Sequence, residues 1–279
     1  MPDAPTKFER FRQLHERPGL FVIPNPWDAG SARILAALGY EALATTSAGF
    51  AFSLGRQDSP ACITRDEALD NARAIVEAVD LPVSCDLANG YGHTPDQCAA
   101  TIRLAAATGL AGGSIEDATG DSGTPIYDFQ LAVERVAAAS EAARGLPFLL
   151  TARAENFLWG RPDLDDTIRR LQAFSAAGAE VLFAPGLPSL EAIRLVCSSV
   201  DKPVNAVMGF QGSVYSLDEL QAAGVKRVSV GGSFARAALG ALLRAAREVK
   251  DHGTFGYAAD AVSHAEVSEF MSSVKRPPL

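Results

Sequence analysis

The feature that most constrains the fold is an eightfold alternation of short apolar runs with longer, alanine-rich stretches. The short runs are rich in Val, Ile, Leu and Phe, which is typical of buried parallel strands. The longer stretches often begin on Ser, Thr or Asp and end on Gly, as helix caps require. The predicted strands span residues 20–24, 40–46, 82–86, 112–117, 147–153, 180–184, 203–207 and 226–230.

Eight such units in about 230 residues match the usual size of a (β/α)8 TIM barrel, whereas an open doubly wound sheet rarely needs eight regular strands. We therefore predict the α/β class, with one barrel domain over residues 1–279. Residues 253–279 fall outside the eight units. They are predicted to form an extra C-terminal helical arm, either lying on the surface or exchanged between subunits.

Composition restricts the partners and the compartment. A net charge of -8 and a pI near 5.1 argue against a nucleic-acid or anionic-membrane surface, because both require a basic patch. The four cysteines form no C-x-x-C pair, and no window is apolar for the roughly 18 residues of a membrane span. The sequence thus favours a small-molecule ligand and a cytoplasmic protein.

Polar residues collect at the ends of the predicted strands, where the active site of a TIM barrel lies. They are Asp86 after strand 3, Glu116 and Asp117 after strand 4, Arg153 and Glu155 after strand 5, and Asn205 on strand 7. This set suits a hard divalent cation together with an anionic ligand, and Mg²⁺ keeps much of its water. The alternative is an internal network of Arg and carboxylate groups without a metal.

Glycines follow two of the strands and could present backbone N–H groups to a substrate carboxylate. Gly49 lies in TSAGF and Gly90 in NGYG, although a glycine in such a loop is more often a turn residue. His93 follows the second loop and is a secondary candidate for a general acid.

Six segments carry a resemblance to a known family. In chain order they are NPWDAGSARI, ALATTSAGFAFSLGRQD, DLANGYG, SIED, TARAEN and GVKRVSVGGSFARAALGAL. Together they resemble the isocitrate lyase and phosphoenolpyruvate mutase superfamily, from strand 1 to helix 8.

The resemblance implies a metal centre and a substrate clamp. Its metal is Mg²⁺, with Mn²⁺ as an alternative, held directly by Asp86 and through water by Asp58, Glu116 and Asp117. Substrate contacts are expected from Ser47, the Ala48 and Gly49 backbone, and Arg153, and from strand position also from Gly90 and Asn205. The catalytic set is Arg153, Glu116 and Asp58. Members of this family are commonly homodimers or homotetramers.

Departures from the family direct the choice of reaction. The loop after strand 4, residues 118–128, holds no Cys, Lys or His, and Ala88 and Ala184 stand where the family has an aspartate and a histidine. We predict a Mg²⁺-dependent lyase that acts on a small 2-oxo or 2-hydroxy acid through an enolate, by carbon-carbon cleavage or decarboxylation of an oxaloacetate-like substrate. The alternatives are a phosphoenolpyruvate or phosphonopyruvate mutase or hydrolase, and a non-catalytic binder of 2-oxo acids. Residues 119–128 are expected to act as a lid.

Overall fold

The chain folds as eight parallel strands surrounded by helices, as the alternation predicts. The computed structural model describes residues 4–59, 61–210 and 214–272. Within these residues the strands are β1 (Phe21–Ile23), β2 (Leu43–Ala44), β3 (Val83–Asp86), β4 (Gly112–Glu116), β5 (Leu149–Arg153), β6 (Val181–Phe183), β7 (Val204–Val207) and β8 (Arg227–Ser229). Each lies inside the run predicted for it.

Each strand pairs with its neighbours in the order β1-β8-β7-β6-β5-β4-β3-β2, and every pairing is parallel. The two ends of this order meet through a backbone hydrogen bond of 3.0 Å from Ala44 N to Pro24 O. Nearby, Asn25 Nδ2 donates to Thr45 O at 2.9 Å. The sheet is therefore the (β/α)8 barrel that the sequence predicts.

The helices carry the caps that their sequences indicate. They are α1 (Lys7–Glu16), α2 (Ala29–Ala37), α3 (Ser47–Ser53), α4 (Arg65–Ala78), α5 (Pro95–Ala106), α6 (Phe129–Ala143), α7 (Leu164–Ala176), α8 (Leu190–Ser199), α9 (Leu217–Ala222), α10 (Ser233–His252) and α11 (His264–Ser272). A Ser, Thr or Asp side chain caps each of α1 to α9 by accepting from a backbone N–H of the first turn. These caps fix where each helix leaves its loop.

Helix α1 closes the N-terminal end of the barrel, and the sequence analysis did not predict it. Its buried residues Phe11 and Leu14 pack in one apolar cluster with residues at the start of the strands, among them Phe21, Leu149 and Val181. Since this end is sealed, ligands reach the barrel interior from the opposite end, where the strands terminate.

The C-terminal segment leaves the barrel earlier than predicted. Along α10, Ala235 is the one buried residue, although the eighth helix of a TIM barrel normally packs on the strands. A short 3₁₀ turn (Gly256–Ala259) and α11 follow, and the last part of the predicted arm, 273–279, lies outside the described residues. Of the helices described, none is both long enough and apolar enough to cross a membrane.

Candidate active site

The ends of β3, β4 and β5 bring one guanidinium and two carboxylates together. Glu116 and Arg153 are register partners on adjacent strands, and both face the barrel interior with Asp86. Arg153 Nη1 donates to Asp86 Oδ1 at 3.1 Å, and Arg153 Nη2 lies 3.2 Å from Glu116 Oε2. The three side chains are only 14–18% exposed. They form a partly buried charged cluster at the mouth.

Glu155 is a third carboxylate on the same guanidinium. Arg153 Nε and Nη2 contact Glu155 Oε1 at 2.9 Å and 2.8 Å, and the Glu155 side chain is 2% exposed. The guanidinium carbon also lies 5.1 Å from the centre of the Phe183 ring. Arg153 is therefore held on several sides before any ligand binds.

The cluster contains three carboxyl groups and one guanidinium. Burial raises the pKa of Glu116 well above its usual value, and the neighbouring carboxylates of Glu155 and Asp86 raise it further against the opposing effect of Arg153. Burial also raises the pKa of Glu155. Three carboxylates that share one guanidinium leave room for a further cation, which would relieve their repulsion.

Asp86 also connects the cluster to the loop after β2. Ser47 Oγ donates to Asp86 Oδ2 at 2.8 Å, and the Ser47 backbone N–H points to the same oxygen at 3.4 Å. Ser47 begins α3, whose cap Thr46 accepts from Gly49 N at 3.2 Å. The Gly49 N–H is thus already bonded, whereas Ala48 N, in the first turn, has no preceding helical carbonyl to bind. Ser47 therefore lies beside the charged cluster, and Gly49 allows close packing against Thr46, Trp27 and Ala235.

Asp58 lies near this cluster without joining it. It is solvent-exposed and sits in the loop after α3, and partial burial together with the charge of Asp86 raises its pKa. The structure thus places Asp58 within electrostatic range of Asp86.

Asp117 was predicted to join the metal site, but the structure gives it other partners. Its Oδ2 lies 3.1 Å from Arg170 Nη1 on α7, and its Oδ1 accepts from Glu155 N at 2.8 Å. Successive residues of a strand point to opposite faces of the sheet, so Glu116 faces the interior and Asp117 the surrounding helices. Both Asp117 oxygens are engaged, and we leave this residue out of the metal ligands.

Asn205 and Gly90, both predicted to contact substrate, are also engaged elsewhere. Asn205 is buried, donates to Ser229 Oγ at 3.0 Å and accepts from Arg227 Nε at 2.9 Å, deep in the barrel. Gly90 has φ +78°, its N–H donates to Leu87 O, and a Cβ there would lie 2.7 Å from Cys98 Sγ. Each has a packing role that sequence position alone does not distinguish from binding.

The predicted lid is a compact turn that holds itself together. An antiparallel bridge joins Ala118 to Ile126, and Asp121 Oδ1 and Oδ2 accept from Gly123 N at 2.9 Å and Thr124 Oγ1 at 3.2 Å. The Asp121 carboxylate therefore organises the turn.

A cavity of about 410 Å³ lies beside the lid, between residues 119–128 and the loop after β3. His93 Nδ1 and Tyr127 Oη are 2.7 Å apart on its wall, and Tyr127 Oη also accepts from Asn89 Nδ2 at 3.4 Å. The pair links the two loops, a connection that the sequence analysis did not foresee because the residues are 34 positions apart.

Comparison with known proteins shows which proteins this chain resembles. The phosphoenolpyruvate phosphomutase family model matches residues 11–250. A protein of Burkholderia cenocepacia J2315, whose structure is described as that of a lyase/mutase, is 57% identical, with a TM-score of 0.93 and 98% coverage of both chains. The 2-methylisocitrate lyase of Escherichia coli K12 is 30% identical over 71% of this chain and 69% of its own length. The oxaloacetate decarboxylase of Paraburkholderia xenovorans LB400 is 30% identical over 71% and 68%.

Proposed function

Since the chain belongs to the phosphoenolpyruvate phosphomutase family, in the same superfamily as the isocitrate lyases, we propose that it is a Mg²⁺-dependent carbon-carbon lyase for an oxaloacetate-like 2-oxo acid. The observation that carries this proposal is the cluster in which Asp86, Glu116 and Glu155 share Arg153 at the barrel mouth. The Arg153 guanidinium can bind the carboxylate of a substrate, and the carboxyl groups around it can hold a metal ion.

The donor set fits Mg²⁺ with mostly water ligands. No group of three His, Cys, Asp or Glu side chains is placed to hold an ion directly in the part of the chain that the structure describes. Mg²⁺ is commonly held by one or two carboxylates and several waters. Asp86 would be the direct ligand, with Glu116 and Asp58 acting through water, and Mn²⁺ is the alternative ion. When bound, the metal supplies positive charge beside the oxygen that becomes negative during the reaction.

Arg153 would bind the carboxylate next to the 2-oxo group. A guanidinium can offer two parallel N–H bonds to a carboxylate, which gives both orientation and strength. The terminal nitrogens of Arg153 now contact Asp86 and Glu116, so an incoming carboxylate must replace at least one of these contacts. Glu155 keeps its hold on Nε and fixes the plane of the guanidinium while this exchange takes place.

The lid composition favours decarboxylation over retro-aldol cleavage. Decarboxylation of a 3-carboxy-2-oxo acid requires mainly charge stabilisation on the 2-oxo oxygen, whereas retro-aldol cleavage also requires a base for the hydroxyl and an acid for the departing carbanion. Residues 118–128 include no Cys, Lys or His, and Asp121 is occupied within the turn. A phosphoryl mutase would need a basic loop here.

Turnover of oxaloacetate by the purified protein tests the proposal. We expect pyruvate and CO₂ to form faster with Mg²⁺ than with EDTA, and faster than in protein-free Mg²⁺ solution, which controls for spontaneous decarboxylation. A parallel panel of 2-methylisocitrate, phosphonopyruvate and other 2-oxo and 2-hydroxy acids identifies a different substrate. Binding of oxalate without turnover of any compound would make the protein a binder and contradict the proposal.

We propose further that the protein is a homodimer or homotetramer in which α10 packs on a neighbouring subunit, while α11 contacts α2, where Arg33 Nη1 donates to Met271 O. This rests on α10, which carries the exposed apolar residues Leu239, Leu242, Leu243 and Val249 and does not pack on its own barrel as an eighth helix usually does.

A further inference from the structure

A buried ion pair outside the barrel is connected to the guanidinium at the mouth. Arg170 on α7 and Asp117 after β4 are 7% and 1% exposed, and Arg170 Nη1 lies 3.1 Å from Asp117 Oδ2. Neither side chain faces the barrel interior, and neither is used by the proposed reaction. Their burial makes the pair costly unless each charge is fully partnered.

Asp117 holds the chain where it leaves β5. Its backbone N–H donates to Arg153 O at 3.2 Å, and its Oδ1 accepts from Glu155 N at 2.8 Å. The two bonds lie on either side of residue 154 and fix the backbone of both residues that form the clamp. The Glu155 side chain in turn accepts from Arg153 Nε. Any movement of Asp117 therefore moves the Glu155 carboxylate that orients the guanidinium.

Arg170 fixes Asp117 in turn. Besides its contact with Asp117, its Nη1 donates to Tyr127 O at 3.0 Å and its Nε donates to Asp166 Oδ2 at 2.7 Å. Tyr127 N donates to Asp117 O at 2.8 Å, which ties the base of the lid to the same point. One side chain of α7 thus joins the helix, the end of β4 and the base of the lid.

We propose that Arg170 and Asp117 are positioning residues, which set the orientation of the Arg153 guanidinium through Glu155 and so determine affinity for the substrate carboxylate. This inference rests on the proposed function of Arg153 as the carboxylate clamp. The orientation of the Arg153 guanidinium depends on the branched guanidinium of Arg170, because this group contacts Asp117, Tyr127 and Asp166 at once. Lysine keeps the charge but has one nitrogen and cannot reproduce these contacts.

Helix α7 offers a matched control. Arg169 is the neighbour of Arg170 and also forms an ion pair with Asp166, but its side chain is 65% exposed, and it is Arg170 that pairs with Asp117. The same Arg→Lys change at residue 169 tests the loss of an Asp166 contact without the loss of the Asp117 contact.

The test is the affinity for oxalate in the presence of Mg²⁺, measured by calorimetry on the full chain. Arg170→Lys should weaken oxalate binding by about 10- to 100-fold, the range typical of residues that orient a direct contact. Arg169→Lys should leave it unchanged. Asp117→Asn, which keeps an acceptor for Glu155 N, should bind oxalate better than Asp117→Ala, and this pair remains informative if Arg170→Lys is too unstable.

A double-mutant cycle separates positioning from general destabilisation. If Arg170 acts through Arg153, the effect of Arg170→Lys should largely disappear in an Arg153→Lys background, because the group that it orients is already lost. Additive effects in the cycle overturn the inference. The inference is also overturned if Arg170→Lys and Asp117→Ala both leave the oxalate affinity unchanged while Arg153→Lys weakens it. In that case the proposed role of Arg153 as the clamp still stands. Unchanged affinity of Arg153→Lys itself contradicts the clamp and the positioning inference together.

Discussion

The Asp86 carboxylate accepts hydrogen bonds from three different residues. Its Oδ1 accepts from Arg153 and from Ala88 N at 3.2 Å, and its Oδ2 accepts from Ser47. Asp86 thus ends β3 and contacts both Arg153 and Ser47, the first residue of α3. A metal held by Asp86 would lie near the carboxylate that Arg153 is proposed to bind.

Replacing Asp86 should therefore remove metal binding while leaving the barrel folded. We expect Asp86→Ala to weaken Mn²⁺ binding, measured by electron paramagnetic resonance, by more than the about 10- to 100-fold typical of outer partners of metal ligands. Asp70→Ala, which removes an exposed carboxylate on α4, serves as the control. Equal Mn²⁺ affinity in Asp86→Ala and the control would remove Asp86 from the metal site.

His15 gives a pH dependence of stability at the other end of the barrel. Burial, and next the charge of Arg227, lower its pKa from 6.5 to about 3. Its Nδ1 lies 2.8 Å from Phe11 O and its Nε2 lies 3.4 Å from Arg227 Nη1, which suits a neutral ring. The unfolded chain takes up the proton below pH 6.5, and the folded chain does so only near 3. The stabilisation is therefore complete above 6.5 and is lost as the pH falls towards 3.

As the pH falls from 6.5 towards 3, the proton uptake of His15 on unfolding should lower the free energy of unfolding by up to about 1.4 kcal/mol per pH unit. The buried carboxylates at the mouth act in the opposite direction because burial raises the pKa of Glu116 and Glu155. The informative quantity is thus the difference between the wild type and His15→Gln in urea unfolding at about pH 7 and about pH 5. Parallel pH profiles for the two proteins would contradict the assignment.

Among site residues, strand position was predictable and depth was not. Asp86, Glu116 and Arg153 meet as predicted because parallel strands end at one face. Asp117 follows Glu116 directly, so the alternation of side chains directs it to the other face, where it pairs with Arg170. Asn205 points inward but binds Arg227, whose Nη2 also donates to Thr151 Oγ1 at 3.1 Å, two residues before Arg153 on β5. How far an inward residue lies below the mouth depends on barrel stagger, which the sequence does not display.

At the scale of elements, the role of the lid can be tested separately from that of the charged cluster. The side-chain contacts of Asp121 and Thr124 lie within the turn, so single alanine substitutions at Asp121, Ser122 and Thr124 should lower turnover mildly, below about tenfold. Deletion of residues 120–124 should reduce turnover far more, because water then reaches the site. Steady-state rates on the substrate identified by the panel measure both.

Tyr127→Phe decides whether the lid also supplies a proton. Its hydroxyl is bonded to His93 and Asn89, away from the Arg153 cluster contacts described. We expect a small effect, and a loss of about a hundredfold, as for a general acid or base, would show that the lid takes part in proton transfer. Asp121→Ala, judged by the same criterion, provides the second measurement.

The strands were predictable as elements because apolar runs and turn residues alternate regularly, whereas α1 was not. Its apolar residues Phe8, Phe11 and Leu14 recur every three positions, but charged residues separate them and the segment is too short to stand out. The capping box of Thr6 and Glu9 was the available signal.

For the whole molecule, the exposed α10 predicts association. Leu242 and Leu243 are 62% and 52% exposed, so changing both to Glu should dissociate an assembly that buries them. Light scattering should give a multiple of 29.3 kDa for the wild type and a smaller mass for the double variant. Leu195→Glu, at an exposed leucine of α8, is the matched control. A wild-type mass of one chain would contradict the homo-oligomer.

The seal formed by α1 has a consequence for how the chain is made. Helix α1 is synthesised before β8, yet His15 contacts Arg227, which lies 212 positions later, and Lys226 Nζ donates to Gly19 O across 207 positions. The ribosome must release β8 before these contacts can form, and closing so long a loop is slow compared with local helix formation. Helix α1 therefore leaves the ribosome long before it can reach its final place. Until then, the apolar residues that α1 covers at the N-terminal end of the barrel stay exposed to water and to other nascent chains.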